Sequence, residues 1–310
     1  MALDLRPLTL GELFDRAFSM YRHHLWMFAG VAAVPAVLAL AATLMMQTAQ
    51  MLAAKQAVAP SPADPLAGQP VAALVALFGG MLLVMIAYWI VYMVALGATT
   101  FAVSEVYVGR TVTIAQVYRR MRGRIGPLVL LMLLIGLRLF GITLIAGIIF
   151  AVVVGGASAA HPILAALMIL LLVALGGLCY AYMMLRYAVC VPALVIERLS
   201  ASESIKRSIE LTHGRLLRVL LLVACAMMVT LATTLIFQGP FTLAALMAGP
   251  GSTHFLWLNV VGSVVGTIGA TFTTPFLIIG LALIYYDARI RDEGLDLELT
   301  LAAIDTPASA

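Results

Sequence analysis

Arginine is the residue type whose spacing in this chain most directly suggests chemistry. Five arginines lie within residues 110–124, namely Arg110, Arg119, Arg120, Arg122 and Arg124. A guanidinium group binds phosphate through two hydrogen bonds, and anionic lipid attracts each such charge near a membrane surface by about 1 kcal/mol. We therefore expect Arg119, Arg120, Arg122 and Arg124, together with Arg16 and Arg207, to contact anionic lipid head groups. The same run of charge could instead serve only to fix the membrane topology.

Arg138 is the one charged residue inside an apolar stretch that extends from 125 to 156. At 1.5 Å per residue it lies about 18 Å along a helix, near the middle of a bilayer. A charge at that depth costs at least a few kcal/mol and usually faces a partner or a cavity. Arg138 is therefore either an anion or head-group contact in a lipid or solute path, or a residue that bonds backbone carbonyls and hydroxyls such as that of Thr143.

Polar side chains recur at helical spacing in the last apolar stretch of the chain. They are Asn259, Ser263, Thr267, Thr271 and Thr274. Gly262, Gly266 and Ala270 run beside them in a small-xxx-small pattern that lets helices approach closely. The pattern predicts either a packing stripe with interhelical hydrogen bonds or the polar wall of a translocation path.

Catalytic and metal-binding patterns are absent from the sequence. The five histidines form no His-x-x-Glu-His motif, and no glycine-rich phosphate loop is present. Ser158 and His254 faintly suggest an intramembrane serine protease, but the Gly-x-Ser-Gly motif of those enzymes would need glycine at Ala159. A nucleophile and its base must also lie within hydrogen-bond reach. We expect no catalytic residue, no metal and no cofactor, and we keep an intramembrane hydrolase as a third alternative.

The composition places these residues in a membrane. Hydrophobic residues make up 64% of the 310 residues, charged residues 10%, and the mean hydropathy is +1.10, whereas soluble domains carry about 25% charged residues. A spanning helix needs roughly 20 mostly apolar residues. Six segments qualify: 25–47, 71–103, 125–156, 162–185, 219–238 and 255–286. We predict an all-α integral membrane protein with six transmembrane helices and no soluble enzyme domain.

The basic residues predict the orientation of the chain. Sixteen of the 18 lysines and arginines fall before the first segment, after the sixth, or in alternate loops between them. Because such residues favour the cytoplasmic side, both termini are predicted to be cytoplasmic. Polar and amphipathic residues precede the first apolar segment, so we do not interpret it as a cleaved signal.

Three amphipathic stretches on the predicted inner side share one pattern. Each opens with a capping box, in which two side chains satisfy free amide groups at a helix start: Thr9 with Glu12, Thr113 with Gln116, and Ser200 with Glu203. Each also places an arginine four residues after the second box residue. We predict three repeats of an interfacial amphipathic helix plus a transmembrane hairpin, at 8–108, 109–198 and 199–290, within one membrane domain of residues 1–290. Such helices would lie at the inner interface or dock a partner.

The segments outside the apolar stretches are short. Residues 57–70 are rich in proline and alanine and are predicted to be unstructured, and a short loop is predicted around 239–254. Residues 291–310 are predicted to form a cytoplasmic tail. Alternation of Leu295, Leu297, Leu299 and Leu301 with polar residues is typical of a strand, which could pair with another chain or be a frayed amphipathic tail.

Three motifs resemble a known family. They are LRPLTLGELFDRAFSMYRHH from residue 5, PALVIERLSASESIKRSIELTHGRLLRVLLL from 192, and YYDARIRDEGLDLEL from 285. The chain resembles the bacterial multi-pass membrane domain that accompanies glycerophosphoryl diester phosphodiesterases. In some relatives this domain precedes a soluble phosphodiesterase barrel, and many others are free-standing. The resemblance implies a bacterial inner-membrane protein and no catalytic residue, since the hydrolase portion is missing here.

These observations lead to one functional hypothesis and two alternatives. The hypothesis is a non-enzymatic multi-pass protein of the bacterial inner membrane that contacts anionic lipid and acts as a scaffold or accessory subunit for envelope proteins. A membrane-protein partner or a homo-oligomer is expected, and nucleic acid is not. The first alternative is a small transporter or lipid-handling protein that uses Arg138 and the polar face of the sixth span, and the second is the hydrolase.

Overall fold

A computed structural model describes residues 8–56, 71–160, 162–249 and 252–294. Within these ranges the chain is helical and contains no strand. The helices are α1 Leu10–His23, α2 Leu25–Gln56, α3 Val71–Tyr107, α4 Ile114–Met121, α5 Ile125–Ala160, α6 Pro162–Arg186, α7 Cys190–Ile196, α8 Ala201–Thr212, α9 Leu216–Phe237, α10 Gly239–Ala248 and α11 Thr253–Glu293, with a single 3-10 turn at Arg122–Arg124. The proline-rich segment 57–70 and the alternating leucines after 294 lie outside the described residues.

Six of these helices are long and apolar enough to cross a membrane: α2, α3, α5, α6, α9 and α11. They coincide with the six apolar segments of the sequence, so the chain is a multi-pass membrane protein.

Two helices were not predicted. Helix α7 follows the fourth span directly, and α10 occupies the segment predicted to be a short loop around 239–254. That loop prediction was wrong. Gly239–Pro240 resembles a turn in the sequence, but proline is also well suited to the first turn of a helix. The residues that follow are mainly apolar and form α10.

The three helices that begin with a capping box all lie at one end of the bundle. Helices α2, α5 and α9 begin at this end and α3, α6 and α11 finish there, and we call it the capped end. Each box is closed reciprocally, with the backbone N–H groups of Glu12, Gln116 and Glu203 donating to the cap hydroxyls and the cap N–H groups donating back to the side chains. Each of α1, α4 and α8 therefore has a fixed start.

Helix α1 packs lengthwise against the second half of α11. Near its start, the Leu8 N–H donates to the Asp287 carboxylate at 2.8 Å. Near its end, the Tyr21 hydroxyl donates to the carbonyl of Phe272. Fifteen residues of α11, about 22 Å of helix, separate these two anchor points. Leu13 and Ala17 are buried between the helices, so α1 is bound to protein along its apolar face.

Helix α4 packs against the first hairpin, formed by α2 and α3. Its Tyr118 hydroxyl donates to the carbonyl of Val31 at 2.7 Å, and Ile114 fills the space beside Gly30. A methyl group at Gly30 would meet the Ile114 side chain at 2.3 Å. Only Val117 and Met121 of α4 are buried, so most of its surface remains exposed.

Helix α8 is the most deeply packed of the three. Half of its twelve residues are buried, including two serines, Ser204 and Ser208. Ser208 donates to the carbonyl of Arg186 at the end of α6, at 2.7 Å. The helix contacts α5, α6 and α7. Serine at these positions is therefore a small residue that allows close approach while its hydroxyl stays bonded.

Helices α9, α10 and α11 pack closely through glycine. A methyl group at Gly262 would lie 2.9 Å from Phe241, at Gly269 2.8 Å from Thr233, and at Gly280 2.5 Å from Leu222. These glycines lie along α11 where it faces α9 and α10. This close approach packs α9, α10 and α11 tightly against one another. By contrast, the most apolar stretch of α6 buries none of its residues.

Candidate functional site

The capped end carries a cluster of ion pairs, which we call the paired cluster: Glu197, Arg207, Arg215, Arg218, Asp287, Arg289, Arg291, Asp292 and Glu293. At its centre, the Arg207 Nε donates to both oxygens of Glu197, at 3.0 and 3.1 Å. The same guanidinium binds Glu293, which also accepts from Arg289 at 2.8 Å. The sequence pattern suggested a pair between Arg207 and Glu203, four residues earlier. The structure instead gives Arg207 partners from α11 and from the residue after α7.

Asp287 anchors the other half of the paired cluster. Its side chain is 3% exposed and accepts from the Leu8 N–H, from Arg218 at 3.0 Å and from Arg291 at 3.0 Å. Arg218 and Arg291 also donate to the Leu8 carbonyl. A buried carboxylate needs such compensation, and here one aspartate joins the segment before α1 to α9 and α11.

Hydrogen bonds at the edge of the capped end shift two ionisation equilibria. Hydrogen bonding to Asp292 raises the pKa of Arg215 above its ordinary value. The Ser200 hydroxyl and backbone N–H lower the pKa of the Glu203 carboxyl. Both groups therefore stay charged under physiological conditions.

The arginines of α4 and the turn after it differ from those of the paired cluster. We call Arg119, Arg120, Arg122 and Arg124 the basic segment. The first three are exposed and the fourth is half-buried. None of the four makes an ion pair or side-chain hydrogen bond with any residue the structure describes. Four guanidinium groups with free donors, within six residues, form a surface suited to phosphate oxygens.

Arg16 of α1 contacts an aromatic ring. Its guanidinium stands 5.5 Å above the ring of Tyr107, and that ring stacks on Tyr286 with centroids 4.7 Å apart. A cation above an aromatic face is stabilised by the ring quadrupole. Arg16 thus connects α1 to α3 and α11, and its contact with lipid remains a prediction.

Arg138 has an exposed side chain on α5. It forms no ion pair or hydrogen bond with the described residues. The backbone bonding suggested as one alternative is not seen, since Thr143 donates to the carbonyl of Leu139 instead, at 2.9 Å. The geometry leaves the guanidinium available to a ligand.

The polar residues of α11 are largely satisfied by their own helix. Each of the five donates to the carbonyl four residues earlier, at 2.7–2.8 Å: Asn259, Ser263, Thr267, Thr271 and Thr274. One interhelical bond is added, from Gln47 of α2 to the Ser263 hydroxyl at 2.9 Å. These bonds, with the close glycine contacts nearby, suit helix packing. A role of the stripe in translocation stays a prediction.

The residues considered for catalysis are not brought together by any contact the structure describes. His254 is exposed at the start of α11, and the side chain of Ser158 lies outside the described residues. His23 bonds the carbonyl of Ser19 on its own helix. Among the described residues, no three His, Cys, Asp or Glu side chains gather where they could hold a metal ion.

The acids of the paired cluster are the residues that sequence reasoning missed. A signal for them was available in the segment from Asp287 to Glu293, where Asp287 precedes Arg291 and Arg289 precedes Glu293 by four residues. Both pairs form in α11, at the spacing that brings side chains together on a helix. The segment was instead divided between the last span and the tail.

Comparison with known proteins supports the resemblance found in the motifs. Residues 160–300 match the model of a family described as the membrane domain of glycerophosphoryl diester phosphodiesterase. The match covers the second and third motifs, confirms the resemblance over these residues and concerns the membrane domain alone. No curated protein and no solved structure matches the chain.

Proposed function

We propose that this chain is a non-enzymatic scaffold or accessory subunit of the bacterial inner membrane that binds anionic phospholipid head groups at the basic segment. The observation that carries the proposal is the contrast in partners at one end of the bundle. Arginines of the paired cluster meet acids from the chain itself, whereas those of the basic segment meet none that the structure describes. An unpaired group of four guanidinium charges attracts anionic lipid by about 1 kcal/mol for each charge.

The proposal places the capped end on the cytoplasmic side. The distribution of lysine and arginine supports this orientation, since nearly all of them precede or follow spans at that end. The basic segment then lies at the level of the inner-leaflet head groups. Both described chain ends, at Leu8 and Gly294, also lie at that side.

The proposal also treats the chain as three repeats. The contacts support a cyclic arrangement, because each capped helix packs against the hairpin that precedes it: α4 on α2–α3, α8 on α5–α6, and α1 on the hairpin that ends in α11. A ring of three such units closes the capped end with its first and last helices in contact. The rigid base that results would suit a scaffold for other envelope proteins.

A lipid-selectivity measurement tests the head-group site. Arg119→Gln/Arg122→Gln removes two exposed charges of the basic segment, and Arg22→Gln/Arg198→Gln removes two exposed charges elsewhere on the capped end. The proteins are reconstituted in vesicles, and the association of spin-labelled phosphatidylglycerol is compared with that of phosphatidylcholine. We expect the first variant to lose about thirtyfold in selectivity for the anionic lipid and the second to change little. Equal losses would contradict a local site.

A further inference from the structure

We propose that Arg138 is a second lipid site, at which the phosphate of a single anionic phospholipid is bound against the exposed face of α5. This inference deepens the proposed function and rests on it only for membrane orientation. It concerns a different helix and depth from the basic segment, so the two can fail separately.

The position of Arg138 on α5 shows which way it faces. Residues three and seven apart share a helix face, so Leu128, Leu131 and Arg138 lie on one face. Leu128 and Leu131 are 0% and 1% exposed, because this face packs against α3 and its neighbours near the capped end. At Arg138 the same face has become exposed. The face of α5 that other helices cover near the capped end is therefore uncovered at the level of Arg138.

Helix α3 shows a similar change along its length. It meets α5 where the side chain of Leu128 lies beside Gly97. Toward the other end of the bundle α3 has exposed residues, as at Leu83, Met85 and Trp89. The apolar surface of both helices beyond their contact is therefore open to the membrane.

Arg138 lies within electrostatic range of the thiol of Cys190, in the buried helix α7, which packs against α3 and α8. A long basic side chain in a span extends toward the nearer polar interface. The guanidinium would thereby meet the head group of a lipid in the proposed inner leaflet.

The surroundings of Arg138 specify the chemistry of the ligand. Leu133, Leu137 and Phe140 are each at least 64% exposed on the same stretch of α5, and no acid among the described residues neutralises the charge. A charge left bare in hydrocarbon is expensive, so the ligand must supply a negative group. Because the adjoining surface is apolar, the rest of the ligand must be apolar too. A phospholipid with net negative charge meets both requirements.

Native mass spectrometry of the delipidated full-length chain tests the inference. Phosphatidylglycerol, diacylglycerol and glycerol phosphate are titrated separately. The first carries both head group and acyl tails, the second carries the tails alone, and the third is a phosphate ester without tails. We expect one phosphatidylglycerol to bind the wild type at least about tenfold more tightly than it binds Arg138→Gln, since that is the usual value of a charged hydrogen bond. Glycerol phosphate binding as tightly as the lipid would overturn the inference in favour of a solute site.

Matched variants separate this site from general effects. Leu137→Gln alters the neighbouring exposed residue and keeps the arginine, and Arg119→Gln/Arg122→Gln alters the basic segment. Both should retain the tight lipid, and its loss in either would overturn the assignment. Should Arg138→Gln fail to fold, wild-type protein is photo-crosslinked with phosphatidylglycerol that carries a diazirine near its head group. Adducts on α5 or α7 peptides are expected, and adducts confined to other helices would overturn the inference.

Discussion

The basic segment and the paired cluster use the same residue type at the same end of the molecule with opposite results. In the paired cluster, Arg207 and Arg218 are fixed by carboxylates from distant parts of the chain, Glu293 and Asp287. In the basic segment, arginines project from a short helix that buries only two residues. The distribution of positive charge along the sequence therefore predicts the orientation of a membrane protein, but not what each charged side chain binds. An arginine pairs within the protein only where the fold brings an acid to it.

Removing the buried acid should have the largest effect. Asp287→Ala leaves Arg218, Arg291 and the Leu8 N–H without their shared acceptor, and loss of one partner of a buried ion pair costs about 3–5 kcal/mol. Thermal unfolding in mild detergent would show this as a large drop in midpoint. Asp15→Ala is the control, since Asp15 is exposed on α1, and it should change the stability by less than about 0.5 kcal/mol. Equal midpoints for both variants would show that the paired cluster contributes little.

A double-mutant cycle on Arg207 and Glu197 should have an intermediate effect. Both side chains are mostly buried, 22% and 17% exposed, so Arg207→Gln and Glu197→Gln should be coupled by about 1–2 kcal/mol. The matching cycle of Arg119→Gln and Arg122→Gln should give a coupling near zero, because neither residue depends on the other for a partner. Coupling of similar size in both cycles would remove the distinction between the two regions.

The effect of acidification on a capping box should be the smallest, and it should distinguish α4 from α8. The box of α8 contains Glu203, whose pKa is lowered by Ser200, so the cap is intact above the ordinary glutamate pKa and is lost as the pH falls through the lowered pKa. The box of α4 contains Gln116, which does not titrate. Hydrogen exchange should therefore accelerate at the first turn of α8 but not of α4. Glu203→Gln should abolish the response, and a response at both helices would contradict this account.

Much of the fold follows from local sequence, and the ion pairing does not. The six spans are predicted because apolar composition over about 20 residues leaves no alternative to a spanning helix, and the caps because their partners are three residues apart. The spacing on α8 suggested that Arg207 pairs with Glu203, but its closest partners, Glu197 and Glu293, are set by how α7, α8 and α11 pack. The exposure of Arg138 likewise depends on which part of α5 the other helices cover, which no local pattern records.

The bond between Leu8 and Asp287 joins residues 279 positions apart, and this has a consequence for biogenesis. At about 5–20 residues per second of synthesis, the ribosome needs roughly 15–55 s to make the partner that α1 requires. During that interval the first hairpin is already in the bilayer while α1 has no α11 on which to pack. Completion of the fold is thus deferred until translation is nearly finished, and nascent chains stalled before the sixth span should expose α1 to proteases or chaperones.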